Sequence, residues 1–453
     1  MSTPTTRTRP ERGAELELTI DSLAYGGAGV ARLDGYVVFV QGVVPGDRVK
    51  AVIGKSKRAY AEARATEILE PGPDRVEPEA DHPGAAWQIL AYDRQLEVKQ
   101  GLVDDALRRI GHLDGFTLEE IVPAKQRWRY RNKLEYSFGE DDTGALVCGF
   151  HAPGRWDRIE PLTDCLLASE RGNAIREQVL AWCRAQGLSA HDRRAGGGLL
   201  RNLVIREGRR TGQFQVRLVT SVGDLDAESL EQAVDCDSLL WSEIDSVAEV
   251  TAGGRTRLVG GTEAIEEELS GLRLRISPEA FFQTNTEMAE ELYAVAGDYA
   301  ALKGWERLYD LYCGIGTVGL TMATRAAELW GLEIVEDAIA DAIENARLNE
   351  IDNAHFYAGN VRLALGELVE KAGRPDVMVL DPPRAGLSQK IVRRVIEAAP
   401  KRIVYISCNP TTLAPNAAQL VEAGWRLTRV RPVDMFPQTP HTECVALLER
   451  SGR

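Results

Sequence analysis

Leu308-Tyr-Asp-Leu-Tyr-Cys-Gly-Ile-Gly-Thr-Val-Gly-Leu320 constrains the fold more than any other stretch of this chain. A short apolar run enters Gly314-x-Gly316-x-x-Gly319, and the pattern then becomes helical. Glycines at those places let the backbone turn sharply and lie close to a nucleotide-bearing ligand at the start of the helix. A second apolar run, Glu328-Leu-Trp-Gly-Leu332, ends in Glu333, nineteen positions after Gly314. A carboxylate there can accept hydrogen bonds from ribose hydroxyls. The pair predicts an open, doubly wound α/β sheet of Rossmann-like type from about residue 276 onward. Taken alone it fits a dinucleotide or S-adenosylmethionine, with a ligand-free glycine loop as the plain alternative.

Ligands in such sheets lie at the carboxyl edge, so the ends of the later strands choose between these cofactors. Val377-Met-Val-Leu380 reads as a buried strand ending in Asp381-Pro-Pro-Arg384, whose prolines hold the exit loop extended. A rigid acidic loop at that edge suits methyl transfer better than hydride transfer. The strand Arg402-Ile-Val-Tyr-Ile-Ser407 delivers Cys408-Asn-Pro410 to the same edge. Phe436-Pro-Gln-Thr-Pro-His-Thr-Glu443 leads into the strand Cys444-Val-Ala-Leu-Leu448, which puts Glu443 at a strand mouth. Elsewhere a cysteine at a strand end is commonly a small buried hydrophobe, and a glutamate before a strand a solvated one. The segments around Cys408 and Glu443 set these two apart.

With 453 residues the chain is too long for one ordinary core, and a multidomain architecture is expected. Residues 1–12, rich in Thr, Arg and Pro, read as a disordered tail. Residues 13–70 alternate short apolar runs with Gly-Gly and Pro-Gly-Asp turns, the pattern of a small all-β barrel of OB-like type. Residues 71–275 read as a Pro-rich linker, a helix with apolar spacing over 95–112, and an α+β central domain. That domain has strands at 133–138 and 213–220 and a helix near 168–186. No apolar run reaches membrane-spanning length and no signal-peptide pattern begins the chain, so no membrane partner is expected. The seven cysteines are scattered and lack zinc spacing, which points to free thiols in a reducing compartment, the cytoplasm.

A net charge of −14 argues against a general electrostatic hold on nucleic acid, yet three local basic segments stand out. Lys55, Lys57 and Arg58 form one. Arg129, Arg131 and Lys133, interleaved with Trp128 and Tyr130, form the second, as a stacking-plus-phosphate surface would require. Arg193-Arg194, Arg201, Arg206 and Arg209-Arg210 form the third. Each alone reads more readily as a solvated basic face; together they favour RNA.

Ser277-Pro-Glu-Ala-Phe-Phe-Gln-Thr-Asn285, Asp310-Leu-Tyr-Cys-Gly, Asp381-Pro-Pro-Arg, Ser407-Cys-Asn-Pro and His441-Thr-Glu occur in order along the C-terminal half. In these segments the chain resembles the RNA uracil-5-methyltransferase family, whose members modify ribosomal or transfer RNA. Tyr130-Arg-Asn-Lys133 resembles the same family's central signature, and the N-terminal module resembles the TRAM domain, a small RNA-binding β-barrel. The resemblance implies a class I methyltransferase domain over 276–453 that uses S-adenosylmethionine. It implies contacts to that cofactor from Gln283, Tyr312, Gly314, Thr317, Glu333, Asn360 and Asp381, a nucleophilic Cys408 and a general base at Glu443. The chemistry is coherent: uracil carbon 5 is a poor nucleophile until a thiolate adds at carbon 6, and the adduct is released only after a base removes the carbon 5 proton.

Many members of this family hold an iron–sulfur cluster on four cysteines. Here Glu79-Ala-Asp-His82-Pro-Gly-Ala-Ala86 replaces the three expected ahead of Trp87, and Cys165 alone stands at the fourth position. No cluster and no other metal are therefore expected. The expected substrate is a loop or bulge uridine of 23S ribosomal RNA, because the target base must leave its stack, and the expected state is a monomer. Transfer RNA is the alternative substrate. An exocyclic-amine methyltransferase is disfavoured by Arg384, where such enzymes usually carry an aromatic residue. A non-catalytic RNA-binding or ribosome-assembly factor is disfavoured by the intact Cys408, Glu443 and glycine loop.

Overall fold

The computed structural model describes residues 9–80, 82–155, 157–192, 196–246, 251 and 253–450. Arg193, Arg194 and the first eight residues of the expected tail lie outside them. Residues 9–12 belong with the barrel: Arg9 donates to Ser56 Oγ at 2.9 Å and to its carbonyl at 2.6 Å. The barrel sheet runs β1-β5-β6-β4-β3-β2. Its strands are β1 Glu15–Thr19, β2 Ser22–Leu23, β3 Gly29–Leu33, β4 Tyr36–Gln41, β5 Arg48–Ser56 and β6 Tyr60–Glu70. Strict alternation builds its core, with Tyr36, Val38 and Val40 meeting Val49, Ala51 and Ile53 inside. The buried Asp47 carboxylate accepts from the amides of Val44 and Gly72 and pairs with Arg75, fixing the Pro-Gly-Asp turn to the linker.

The linker helix α1 Tyr92–Asp105 passes into a π-helical turn, Ala106–Ile110, and then β7 Thr117–Leu118. Sequence spacing groups this segment with the central domain, but β7 pairs with the far edge of the C-terminal sheet, and Val103 and Leu107 join that sheet's core. The buried face of α1 also departs from the apolar spacing. It carries Gln95 and Lys99 ahead of Val103, while Ile110, at the end of the π turn, is 49% exposed. The extra residue of a π turn rotates the residues after it out of phase with the 3.6-residue face.

The central sheet runs β10-β9-β8-β11-β12-β13-β14. It contains β8 Lys133–Glu140, β9 Leu146–His151, β10 Ile159–Pro161, β11 Leu200–Glu207, β12 Phe214–Thr220, β13 Ser238–Glu243 and β14 Arg255–Gly261. It is antiparallel except where α3 Ala227–Ala233 carries β12 over to β13, and α2 Glu170–Ala185 packs on it. A hairpin of β15 Ile265–Leu269 and β16 Leu272–Ile276 leads to the last domain.

There the sheet order is β19-β18-β17-β20-β21-β23-β22-β7. Its strands are β17 Arg307–Leu311, β18 Glu328–Glu333, β19 Ala354–Ala358, β20 Val377–Leu380, β21 Arg402–Ser407, β22 Trp425–Val433 and β23 Glu443–Arg450. Strands β17 to β21 are parallel, and β23 enters antiparallel between β21 and β22. Helices α4 Thr286–Ala300, α5 Thr317–Ala323, α6 Glu336–Leu348, α7 Val361–Ala372, α8 Gln389–Ala398 and α9 Pro410–Glu422 cover both faces. Val377 and Val379 face Leu292 and its neighbours on one side, whereas Met378 and Leu380 face Val392 and Leu413 on the other. Burial on both sides is why these strands are apolar throughout. No described helix is long and apolar enough to cross a membrane.

Candidate active site

Strand order reverses between β17 and β20, and the crevice at such a reversal is where open α/β sheets take ligands. Tyr312 leaves β17 in a left-handed conformation (φ 68°), a sparsely populated region for a residue with a side chain. Its amide donates to the Leu332 carbonyl at 2.8 Å, which binds the loop to β18. Gly316 (φ 86°) is boxed in: a Cβ there would stand 3.0 Å from Leu320, 3.2 Å from Phe356 and 3.3 Å from Ala342. Above Gly314 the space is open, with nothing within 4 Å of where a Cβ would be. Glu333 accepts from the Gly314 amide at 3.3 Å and from the Ile334 and Val335 amides at 2.7 and 3.1 Å. The loop, its open face and this carboxylate fit a ribose-bearing ligand.

Asp310 supports the loop from below. Its Oδ2 accepts from the Gly319 amide at 2.8 Å, while the buried Oδ1 has no hydrogen-bond partner among the described residues. Burial pushes the carboxyl up to about 7. Thr317 starts α5 and is buried with its hydroxyl 3.2 Å from that of Tyr293. Gln283 is buried too, whereas Asn360 is exposed and caps α7 by accepting from the Arg362 amide at 3.0 Å.

Asp381 and Cys408 follow β20 and β21 on the same edge. The register pairs Ser407 with Cys444, so the next positions outward, Cys408 and Glu443, face each other across the strand ends. Cys408 is half-buried, and burial, then the neighbouring Glu443, push its thiol up to about 11 against the opposing pull of Arg384. Glu443 is buried and its carboxyl lies well above the usual range, from burial first and Asp381 second, again opposed by Arg384. Asp381 keeps some exposure, but the protein around it desolvates the carboxyl and pushes it up to about 7. The loop bearing Arg384 is fastened through its carbonyl, which accepts from Asn409 Nδ2 at 3.1 Å and Thr412 Oγ1 at 3.2 Å. The Arg384 guanidinium lies 3.4 Å from His441 Nδ1, and burial with nearby cations pushes that imidazole down to about 4.

The segment 434–442 that delivers Glu443 is held from outside its own domain. Lys99 pairs with Asp434 at 2.5 Å, with neither side chain exposed, and donates to the Phe436 carbonyl at 3.0 Å. Tyr92 donates to the other Asp434 oxygen at 2.8 Å. Gln95 donates to Gln438 Oε1 at 2.7 Å and accepts from its amide at 3.0 Å. Tyr130 donates to the Pro437 carbonyl at 3.1 Å, and Asn132 Nδ2 to the Gln283 carbonyl and Thr286 Oγ1, each at 2.8 Å.

These contacts recast the second basic segment. Arg129 forks onto Asp164 at 3.1 and 2.7 Å, Lys133 pairs with Glu135 at 2.8 Å, and Arg131 lies over the Phe436 ring at 5.7 Å. The segment clamps the central sheet to the site instead of facing outward as a row of cations. Of the third segment, Arg206 and Arg201 are buried, and Arg209 and Arg210 pair with Glu287 and Glu290. Lys57 and Arg58 remain exposed at the β5–β6 turn, and Lys55 beside them pairs with Glu62 at 3.2 Å.

Cys165 is wholly buried with its sulfur 3.3 Å from His82 Nε2. His82 Nδ1 accepts from the Gly84 amide at 3.1 Å, which leaves the proton on Nε2 to donate to sulfur. An imidazole occupies the thiol's surroundings, and among the described residues no three His, Cys, Asp or Glu side chains are grouped to hold a metal. This donor set does not fit a cluster.

A residue that the sequence did not single out also reaches the site. Tyr25, on the barrel loop between β2 and β3, donates to the Cys408 carbonyl at 3.4 Å. The aromatic in Ala24-Tyr-Gly-Gly-Ala28 was its only signal, and turns of that composition are common.

A switch-point crevice with a glycine loop, a carboxylate at the end of β18 and an acidic Pro-Pro loop after β20 is the arrangement of a class I, S-adenosylmethionine-dependent methyltransferase. Residues 223–451 match the family model described as tRNA (Uracil-5-)-methyltransferase, and residues 9–66 match the TRAM domain. An uncharacterized RNA methyltransferase of Halalkalibacterium halodurans is 36% identical, the match covering 96% of each chain. One of Bacteroides thetaiotaomicron is 37% identical over 94% of this chain and 100% of its own. The crystal structure of Pyrococcus abyssi tRNA (uracil-54, C5)-methyltransferase in complex with S-adenosyl-L-homocysteine superposes with a TM-score of 0.77. It is 29% identical, with 96% of this chain and 100% of that one covered. The chain belongs to the RNA uracil-5-methyltransferase family, with a TRAM domain at its N-terminus.

Proposed function

We propose that this enzyme methylates carbon 5 of an unstacked uridine, with Cys408 as nucleophile and Glu443 as general base. The observation that carries this reading is the facing of Cys408 and Glu443 across the ends of β21 and β23. Gln283, Tyr312, Gly314, Thr317, Glu333, Asn360 and Asp381 hold S-adenosylmethionine, with Glu333 on the ribose hydroxyls. Bound there, it supplies an electrophilic methyl group and a positive charge that, like that of Arg384, favours the Cys408 thiolate. Without ligands the thiol keeps its proton at neutral pH, since burial holds it at about 11. Once its proton has passed to solvent, Cys408 Sγ bonds to carbon 6 and the carbon 5–carbon 6 π electrons move toward the O4 carbonyl. Carbon 5 then takes the methyl group, whose donor would be left as a neutral thioether. Glu443 removes the carbon 5 proton, the double bond re-forms, the carbon 6–sulfur bond breaks, and the thiolate departs.

The sequence reading favours 23S ribosomal RNA as substrate and has the protein act as a cytoplasmic monomer. The transfer-RNA reading draws support from the Pyrococcus abyssi relative, a tRNA (uracil-54, C5)-methyltransferase. Unmodified transcripts of both RNAs, incubated with labelled S-adenosylmethionine and digested to nucleosides, separate the two. We expect 5-methyluridine from the 23S transcript and none with Cys408→Ala. Product at the wild-type rate in Cys408→Ala would overturn the mechanism, and label confined to transfer RNA would overturn the choice of substrate.

A further inference from the structure

Tyr25 lies 383 residues from Cys408 in sequence, yet its hydroxyl reaches the Cys408 carbonyl. Cys408, Arg384, Glu443 and Cys444 are all near enough to act electrostatically on that hydroxyl. The loop is seated firmly. A Cβ on Gly27 (φ +91°) would stand 2.9 Å from Pro440 Cβ and 3.0 Å from Trp87 Nε1, and the Trp87 amide donates to the Gln438 carbonyl at 2.9 Å. The barrel therefore abuts the segment that ends in Glu443. At 3.4 Å the Tyr25 hydrogen bond is long, too weak to be the reason for placing a large side chain there. What it leaves is a tyrosine, 38% exposed as a residue, at the rim of a site whose nucleophile is half-buried.

A base brought to Cys408 has left its stack and presents bare π faces. Aromatic side chains at such rims recover part of the lost stacking. We propose that Tyr25 is a substrate-contacting residue whose ring packs against the extruded nucleotide or its immediate neighbour, making the barrel one wall of the active site. This rests on uracil methylation at Cys408, and it goes beyond that reading by assigning a base contact to a different domain. The barrel also carries the exposed Lys57 and Arg58, so the proposal places a base contact on the same domain as these two cations.

The test is steady-state methylation of the unmodified transcripts by Tyr25→Phe, Tyr25→Leu and Tyr25→Ala, with calorimetric titration of S-adenosylhomocysteine as a control for the cofactor side. Leu and Ala should lower kcat/KM for RNA about ten- to a hundredfold, the range of one base–aromatic stack. Phe should restore all but about threefold of that loss, with cofactor affinity unchanged throughout. A Leu variant within threefold of wild type overturns the proposal, and so does a Phe variant as impaired as Leu, which would assign the effect to the hydroxyl. Should Ala fail to fold, the Phe–Leu comparison decides alone. A wild-type enzyme that forms no 5-methyluridine would instead overturn the functional reading beneath it.

Discussion

Replacing Lys99 by methionine keeps the length of the stem and removes the charge. In the native protein that charge is fully enclosed, 2.5 Å from Asp434 Oδ1 and 3.0 Å from the Phe436 carbonyl. The variant leaves Asp434 with Tyr92 as its remaining side-chain donor and strips the Phe436 carbonyl of its Lys99 bond. Removing one member of a buried pair costs about 3–5 kcal/mol. Tyr92 keeps part of the compensation, so about 3 kcal/mol is expected, concentrated in 434–442. The Gln438 amide, held by Gln95 at 3.0 Å, is a local reporter. Three kcal/mol corresponds to roughly a hundredfold faster exchange of that amide, and kcat should fall because Glu443 sits at the end of the loosened segment. Adding Asp434→Leu removes the stranded charge and should recover most of the protection. Exchange within threefold of wild type in Lys99→Met, or a double variant worse than the single, would refute this account of the pair.

Glu443→Gln should form the carbon 6 adduct but fail to resolve it, leaving a covalent protein–RNA band on denaturing gels. A variant that turns over normally would remove Glu443 from its role. Gly316→Ala should abolish cofactor binding, measured by calorimetry, because φ 86° and three neighbours within 3.3 Å leave a methyl group no room. Asp310, at about 7 when folded and about 3.9 in an unfolded chain, holds its proton more tightly in the fold. Its contribution to stability is complete below about pH 4 and is lost as pH rises through 7. Asp310→Asn should therefore flatten the decline of the unfolding temperature between about pH 4 and 7 in scanning calorimetry, and an unchanged slope would refute the assignment.

The glycine loop, the apolar parallel strands and the residues at their carboxyl ends were legible in the sequence because each is a local pattern. A strand buried on both faces must be apolar, and a chain turning into a helix beneath a ligand needs glycine. Cys408 and Glu443 stood out through flanking segments whose order matched a family, and the register of β21 and β23 then set them face to face. Gln95 and Lys99 were invisible for the opposite reason. Their partners across the domain boundary, Gln438 and Asp434, lie more than 330 positions away, so a buried polar stripe on α1 reads as a solvated one. The acidic partners of Arg129 and Lys133 were equally hidden in the sequence. A cation between aromatics looks the same in sequence whether it faces phosphate or, as here, Asp164 and Glu135.

The last sheet borrows its edge strand from upstream: β7 pairs with β22, and Arg429 reaches Glu119, 310 residues earlier. During synthesis, residues 92–122 emerge long before the strands they complete. Until β22 and the 434–438 segment appear, Lys99 has no Asp434 and Gln95 no Gln438 to pair with. Assembly of the reaction centre thus depends on two distant stretches of chain meeting, and not on the independent folding of one domain. A polypeptide arrested before β22 would hold its glycine loop and lack a working edge.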